Sequence, residues 1–338
     1  PVIQRALEDR MEHGVFGYTS TDDQCNQVVA DYYQKKYACH VDANWVVWVP
    51  GIVASLSLAI RSLSTQHQQV FTPDIVYPYF HTTPAAAGKQ ANHLTMTYAQ
   101  NRVRIDIDAL EKRNAQGARV MLFCNPQNPG GAMYTRDELR RIDDYCEANN
   151  LVLVSDEIHA DIILDKHKKH IPYLDVSAHA LNNSIVLGAA SKAFNVAGLA
   201  CSWAVIANDD LRQTFKDEMH GIISEINPFG YTATLAALSQ GDDWLAAMNR
   251  YLCGNRDYLL EELNAIKGLQ MLPLESTFLA WVDVSELKLE DPCAFFEAAG
   301  VGLSPGSNFN DTNFLRLNFG CARSVLEEAV KRIKAALI

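Results

Sequence analysis

Between residues 184 and 203 the chain reads SIVLGAASKAFNVAGLACSW, and Lys192 is the only charged side chain in that stretch. A lysine among small, apolar and hydroxyl residues must be solvated, paired or chemically committed, because an isolated buried ammonium is costly. Three other stretches carry groups of chemical interest. NPQNPGG (125–131) is a turn rich in side-chain amides that contains Asn128. NLVLVSDE (150–157) ends on Asp156 and Glu157, with His159 close behind. NWVVWVPG (44–51) runs through Pro50-Gly51 into an apolar helix, where the free N–H groups of Gly51, Ile52 and Val53, together with the helix dipole, make a seat for a phosphate. A Pro-Gly turn before a buried helix needs no ligand by itself. A buried Asp–Lys ion pair would account for Asp156 and Lys192, but not for the asparagine-rich turn or the glycine-led helix. An aspartate, an asparagine and a lysine facing a phosphate seat form the more specific constellation.

These groups can meet only if the chain sets them at neighbouring strand ends. From about residue 25 to 225, helical periodicity alternates with short, continuous apolar runs at 44–49, 68–73, 119–126, 150–157, 184–191 and 202–207. Continuous hydrophobicity is the mark of strands buried on both faces of a mainly parallel sheet. In such sheets ligands bind outside the carboxyl ends of the strands, which is where Asn128, Asp156 and Lys192 fall. Between the strands lie helices. In TRDELRRIDDYCEANN, Thr135 and Glu138 make a capping box, and Leu139, Ile142 and Cys146 form the inward stripe. The layout is α/β and doubly wound. The last hundred residues differ: a long helical stretch at 228–266, strand-like runs at 276–284 and 313–320, and a terminal helix from 324. The expected division is a large domain at 24–240 and a smaller α+β domain at 241–338, to which residues 1–23 return.

With 338 residues, 48% of them apolar and 20% charged, the chain has the composition of a globular protein of about two domains. A net charge of −11 without a basic tract argues against a nucleic-acid binder. The apolar stretch at 45–60 is broken by Pro50-Gly51 and too short to span a bilayer. Eight cysteines scattered without C-x-x-C spacing read as reduced thiols of a cytoplasmic protein. His167 and His170 in HKKH stand beside lysines that would repel a cation, so that segment reads as a solvated loop and no metal is expected. The chain opens without a methionine and already inside an apparent helix, so the native protein is expected to begin earlier.

In order and spacing, NPQNPGG, SDEIH (155–159), SKAFNVAGL (191–199) and LRLNFG (315–320) resemble the fold type I pyridoxal-phosphate (PLP) enzymes of aminotransferase class I/II. The resemblance covers nearly the whole chain and implies a mainly parallel, seven-stranded type of sheet sandwiched by helices. GVFGYTS, SDEIH and SKAFN-AGL look most like the MalY/PatB-type cystathionine β-lyases, a C–S lyase branch. It implies that Lys192 holds PLP covalently, and desolvation of its amine favours the neutral, nucleophilic form. Asp156 would pair with the pyridinium nitrogen and Asn128 with the 3′-oxygen. Tyr77 would stack on the ring, and Ser191 with the amides of residues 51–53 would hold the phosphate. Arg316 would bind the substrate α-carboxylate through its planar fork. Tyr18 would reach into the neighbouring site of a homodimer. Two positions depart from the wider superfamily. Eight residues after the lysine, where many members carry a phosphate-clamping arginine, stands Ala200. His159 stands where aminotransferases often place a tyrosine that bonds the ring oxygen.

The activity this implies is β-elimination from L-cystathionine or another cysteine S-conjugate, giving pyruvate, ammonia and a thiol. Transamination between an amino acid and a 2-oxo acid shares the same residues and ranks second. A purely regulatory protein on this scaffold ranks third, because such a protein would be free to lose Lys192, Asp156 or Arg316, and all three are present.

Overall fold

The computed structural model describes residues 1–21, 23–64 and 68–337. Nine of its strands precede residue 206: β1 (Val46–Val49), β2 (Gln69–Pro73), β3 (Gln90–Leu94), the short pair β4 (Met96–Thr97) and β5 (Arg104–Ile105), β6 (Ala118–Cys124), β7 (Val152–Asp156), β8 (Ser184–Gly188) and β9 (Ser202–Val205). Apart from the β4–β5 ribbon they form one seven-stranded sheet in the order β1-β9-β8-β7-β6-β2-β3. All neighbours pair in parallel except β9, which runs antiparallel to both β1 and β8. The mainly parallel α/β layout expected from the sequence is therefore present.

The continuous apolar runs have the predicted cause. Successive residues of one strand enter opposite cores: Met121, Phe123, Leu153 and Val186 pack on one side of the sheet, Val120, Leu122, Val154 and Leu187 on the other. Since both faces are covered, no position in β7 or β8 is left for a polar, solvated side chain. Each fully buried Val, Leu or Ile contributes about 1.5–3 kcal/mol. Helix Ile52–Leu63 fills one face with Ile52, Leu56, Ala59 and Ile60. Helix Arg136–Ala148 covers the other, and its capping box is formed as the sequence requires: Thr135 Oγ1 accepts from Glu138 N–H, and Glu138 accepts from Thr135 N–H.

The helical stretch expected at 228–266 is two helices, Pro228–Gln240 and Asp242–Asn264, broken at Gly241. Beyond them β10 (Gln270–Met271), β11 (Leu279–Asp283), β12 (Ser304–Pro305) and β13 (Phe314–Asn318) make a second, antiparallel sheet ordered β10-β11-β13-β12. The terminal helix Arg323–Ala336 packs on it through Leu326, Val330 and Ile333. Helix Val2–His13 runs along Pro228–Gln240, Phe16 stacks on Phe229 at 5.4 Å, and Ile3 touches the second core. The N-terminal helix thus meets both sides of the expected boundary at 240/241. No helix among the described residues is long and apolar enough to cross a membrane.

Candidate active site

Parallel pairing sets the ends of β6, β7 and β8 side by side, with Cys124 opposite Asp156 and Asp156 opposite Leu187. The segments that leave these three strand ends therefore converge. After β6, the peptide bonds Asn125-Pro126 and Asn128-Pro129 are cis. Two amides of this turn already have backbone partners: Gln127 donates to Ile75 O at 2.7 Å and accepts from Gly130 N–H at 2.6 Å, and Asn125 accepts from Tyr134 N–H at 3.2 Å. The third, Asn128, is buried, and its Oδ1 accepts from Arg316 Nη1 at 3.0 Å.

Arg316 comes from β13 of the second sheet. Its other nitrogen Nη2 donates to Ser304 Oγ at 3.4 Å, and its guanidinium lies 4.5 Å from the centre of the Phe309 ring. It has no carboxylate partner among the described residues, and burial pushes its pKa below the usual arginine value. A desolvated guanidinium with no anion is poised for one.

Asp156 is buried, and among the described residues its carboxylate accepts one hydrogen bond, from Ile158 N–H at 3.1 Å. Burial pushes its carboxyl up to about 7 and Glu157 adds to the rise, while the Ile158 N–H and the Lys192 ammonium pull the other way. Next to it His159 is buried edge-on to Phe278 (6.0 Å, 74°), and its Nδ1 has no partner. Burial, then the positive charges of Lys192 and Arg316, push that imidazole down to about 3, so it is neutral at pH 7. Tyr77 lies in the segment before helix Tyr79–Ala86, and burial, with the nearby Tyr79 and Asp156, raises its phenol above the ordinary value. Lys192 is half-buried rather than enclosed, and it makes no hydrogen bond or ion pair with any described residue. The simple Asp156–Lys192 ion pair considered for the sequence is thus not formed.

At the turn expected to seat a phosphate, one detail needs correction. The Gly51 N–H is already taken, by Val49 O at 2.8 Å and Ser202 Oγ at 3.0 Å. The amides left without partners are the first three of helix Ile52–Leu63, those of Ile52, Val53 and Ala54. The free amides thus begin one residue later than the sequence suggested, at the first helical residue and not at the glycine.

Ile52, Val53, Tyr77, Asn128, Asp156, His159, Ser191, Lys192 and Arg316 all line one cavity of about 420 Å³, and Gly51 borders it. Ala54, Cys124, Phe278 and Asn318 line it as well and were not anticipated. Asn318 had a usable signal, being two residues from Arg316 on the same strand face. A second cleft of about 560 Å³ shares Ser191, Lys192, Ala197, Phe278 and Asn318 and extends to Tyr251 and Cys321. Tyr18 is outside both cavities and fully exposed. Of the HKKH pair, His167 is exposed, but His170 is buried, with Nε2 2.7 Å from Glu157 Oε2. The solvated-loop reading is thus wrong for His170, whose partner Glu157 also accepts from Ser155 Oγ and Tyr173 N–H. No metal-binding group of three or more ligands occurs among the described residues.

The cavity suits a phosphorylated aromatic aldehyde. It offers free helix-terminal amides, a buried carboxylate, an unpaired amine and a guanidinium without an anion, which is the donor set expected for PLP. Residues 1–333 match the family described as aminotransferase class I and II. The chain belongs to that family. A class I and II relative, the cystathionine β-lyase PatB of Bacillus subtilis (strain 168), is 31% identical over 99% of this chain and 88% of its own length. Among solved structures of the fold, that of OvoB superposes with a TM-score of 0.96 at 37% identity, covering 99% of this chain and 89% of OvoB. The PLP-bound C–S lyase of Staphylococcus hominis gives 0.92 at 28% identity, covering 99% and 89%.

Proposed function

We propose that the chain is a PLP-dependent C–S β-lyase that cleaves L-cystathionine or a related cysteine S-conjugate to pyruvate, ammonia and a thiol. The observation that carries this reading is the single cavity in which an unpaired lysine, a lone buried aspartate and an anion-free arginine face one another. Relatives named as cystathionine β-lyases, aligned over essentially the whole chain, favour elimination over transamination.

In this reading each side chain has a task its surroundings suit. Lys192 would hold the cofactor through its amine, and the free amine would remove the substrate Cα proton. Asp156 ionises when a cation is set beside it, and so keeps a proton on the ring nitrogen. Asn128 has its Oδ1 committed to Arg316, which leaves its NH₂ to donate to the 3′-oxygen. Tyr77 packs on the ring, and His159, being neutral, adds no competing charge near it. Ile52, Val53 and Ala54 N–H and the Ser191 hydroxyl hold the phosphate. Arg316 fixes the substrate α-carboxylate and thereby the direction of the Cα–H bond. Bound PLP supplies the electron-withdrawing ring that makes the Cα proton removable. A thiolate is a good leaving group, so orientation and proton removal suffice for cleavage.

The same reading assigns residues 24–240 to the cofactor-binding domain and 241–338, with 1–23, to the smaller one that brings Arg316. It makes the working unit a cytoplasmic homodimer with Tyr18 reaching into the neighbouring site. Tyr18 is fully exposed beside the exposed Val15 and Phe16, which supports a contact outside the single chain.

The test is direct. Purified protein is expected to be yellow and to release pyruvate and thiol from L-cystathionine with no added 2-oxo acid. Lys192→Ala should be colourless and about 1,000-fold slower or worse. Product that forms only when a 2-oxo acid is supplied would sink elimination in favour of transamination.

A further inference from the structure

The loop after Lys192 leads into β9 without the arginine that would reach a phosphate, since that position is Ala200, in a left-handed turn (φ 49°). Two residues later, Ser202 is fully buried in the register position opposite Val49. Its hydroxyl does not line the cavity; it donates to Val49 O at 2.7 Å and accepts from Gly51 N–H at 3.0 Å. Val49 O, Ser202 Oγ and Gly51 N thus close a small ring across the turn between β1 and helix Ile52–Leu63. On the helix side, Gly51 O is held by Ser55 N–H at 3.2 Å and by the buried Ser55 Oγ at 3.1 Å.

Gly51 sits at φ 116°, ψ 153°, a region open only to glycine. No neighbour crowds the place where its Cβ would be, so the requirement for glycine comes from the backbone alone. A backbone held in so sparsely populated a conformation persists only when its surroundings over-determine it. Here the surroundings are the two serines, one gripping the N–H and the other the C=O of the same residue. The reward is that the chain passes from strand to helix in one residue, with the amides of Ile52, Val53 and Ala54 presented together at the cavity.

We propose that Ser202 is a positioning residue for the phosphate of the cofactor: β9 serves the phosphate by bracing the turn that binds it, where a guanidinium would serve it by contact. The proposal rests on the PLP reading of the cavity and adds to it a residue that touches neither cofactor nor substrate.

The experiment compares the apoprotein and its Ser202→Ala variant in equilibrium titrations with PLP and with pyridoxal, which lacks the phosphate, read by visible absorbance and tryptophan quenching. Removal of the hydroxyl should weaken PLP about tenfold and leave pyridoxal unchanged. Inorganic phosphate should also compete less well with PLP in the variant. Equal weakening of PLP and pyridoxal would show a general structural role and overturn the proposal, as would unchanged affinity for both. A wild-type chain that bound pyridoxal as tightly as PLP would instead refute the phosphate seat itself, so the two failures are distinguishable.

Discussion

Asp156 and His159 stand three residues apart in one wall of the cavity, and without a cofactor they bias stability in opposite directions. The Asp156 carboxyl is pushed up to about 7, from about 3.9 in an unfolded chain. Between those values the native state binds the extra proton, so this group's contribution to stability falls as pH rises from about 4 to about 7. His159 is pushed down to about 3, from about 6.5 when unfolded. There the unfolded state binds the extra proton, and stability rises with pH between about 3 and about 6.5. Across pH 5 to 8 each effect is on the order of 2–3 kcal/mol, and they largely cancel. Asp156→Asn should therefore make the melting temperature of the apoprotein climb from pH 5 to pH 8 more than in the wild type, and His159→Gln should make it fall. Variants that moved the pH 5-to-8 difference in the same direction would contradict the two environments. At this scale the sequence was informative about which residue types stand at strand ends, and less so about their partners. Lys192 could be picked out as a lone charge, but His170 was misread, because its partner Glu157 is 13 residues away in sequence and meets it only after folding.

Helix Arg136–Ala148 shows how far local chemistry goes in fixing an element. Its start can be read from Thr135 and Glu138 alone, since both capping bonds are made within four residues. Thr135→Ala should cost about 1 kcal/mol and lower the melting temperature by about 2–3 °C, with kcat unchanged because the cap lies outside the cavity. A marked loss of activity would show that this helix does more than cover the sheet. Strand β3 was not legible, for the opposite reason. QANHL has one buried residue, Leu94, and no alternation, so only its parallel pairing with β2 at the sheet edge makes it a strand. The break inside 228–266 was equally hidden, because the helical pattern continues on both sides of Gly241.

For the molecule as a whole, the site draws on both sheets: Asp156 and Lys192 from the large one, Arg316 from the small one. The apolar runs marked six of the seven strands of the large sheet but not their order. That Arg316 would bridge to Asn128 across 188 residues of chain could not be read from periodicity at all; the resemblance to known PLP enzymes brought both residues to one site without pairing them. A homodimer that shares residues between sites makes a prediction no single chain can meet. If Tyr18 serves the neighbouring site, the variants Tyr18→Ala and Lys192→Ala, each inactive alone, should complement one another when coexpressed. Half of the dimers are then mixed, each with one intact site of two, so about a quarter of wild-type turnover returns. No recovery in a mixed dimer shown to have formed would place Tyr18 outside the partner's site.

Gly241 limits how this scaffold can be engineered. Replacing glycine by alanine is a common route to stability wherever the backbone is compatible, because it restricts the unfolded chain. By that rule Gly241 is a good candidate, since its angles (φ −87°, ψ 0°) suit any residue. Yet an added methyl carbon would stand 2.4 Å from the Phe194 ring and 2.4 Å from the Ala237 carbonyl oxygen. Phe194 is two residues from Lys192 and also stacks on Trp244, so the displaced ring would carry the lysine segment with it. A stabilisation screen guided by backbone angles alone would thus choose, among its conservative changes, one that presses on the segment carrying Lys192 from behind.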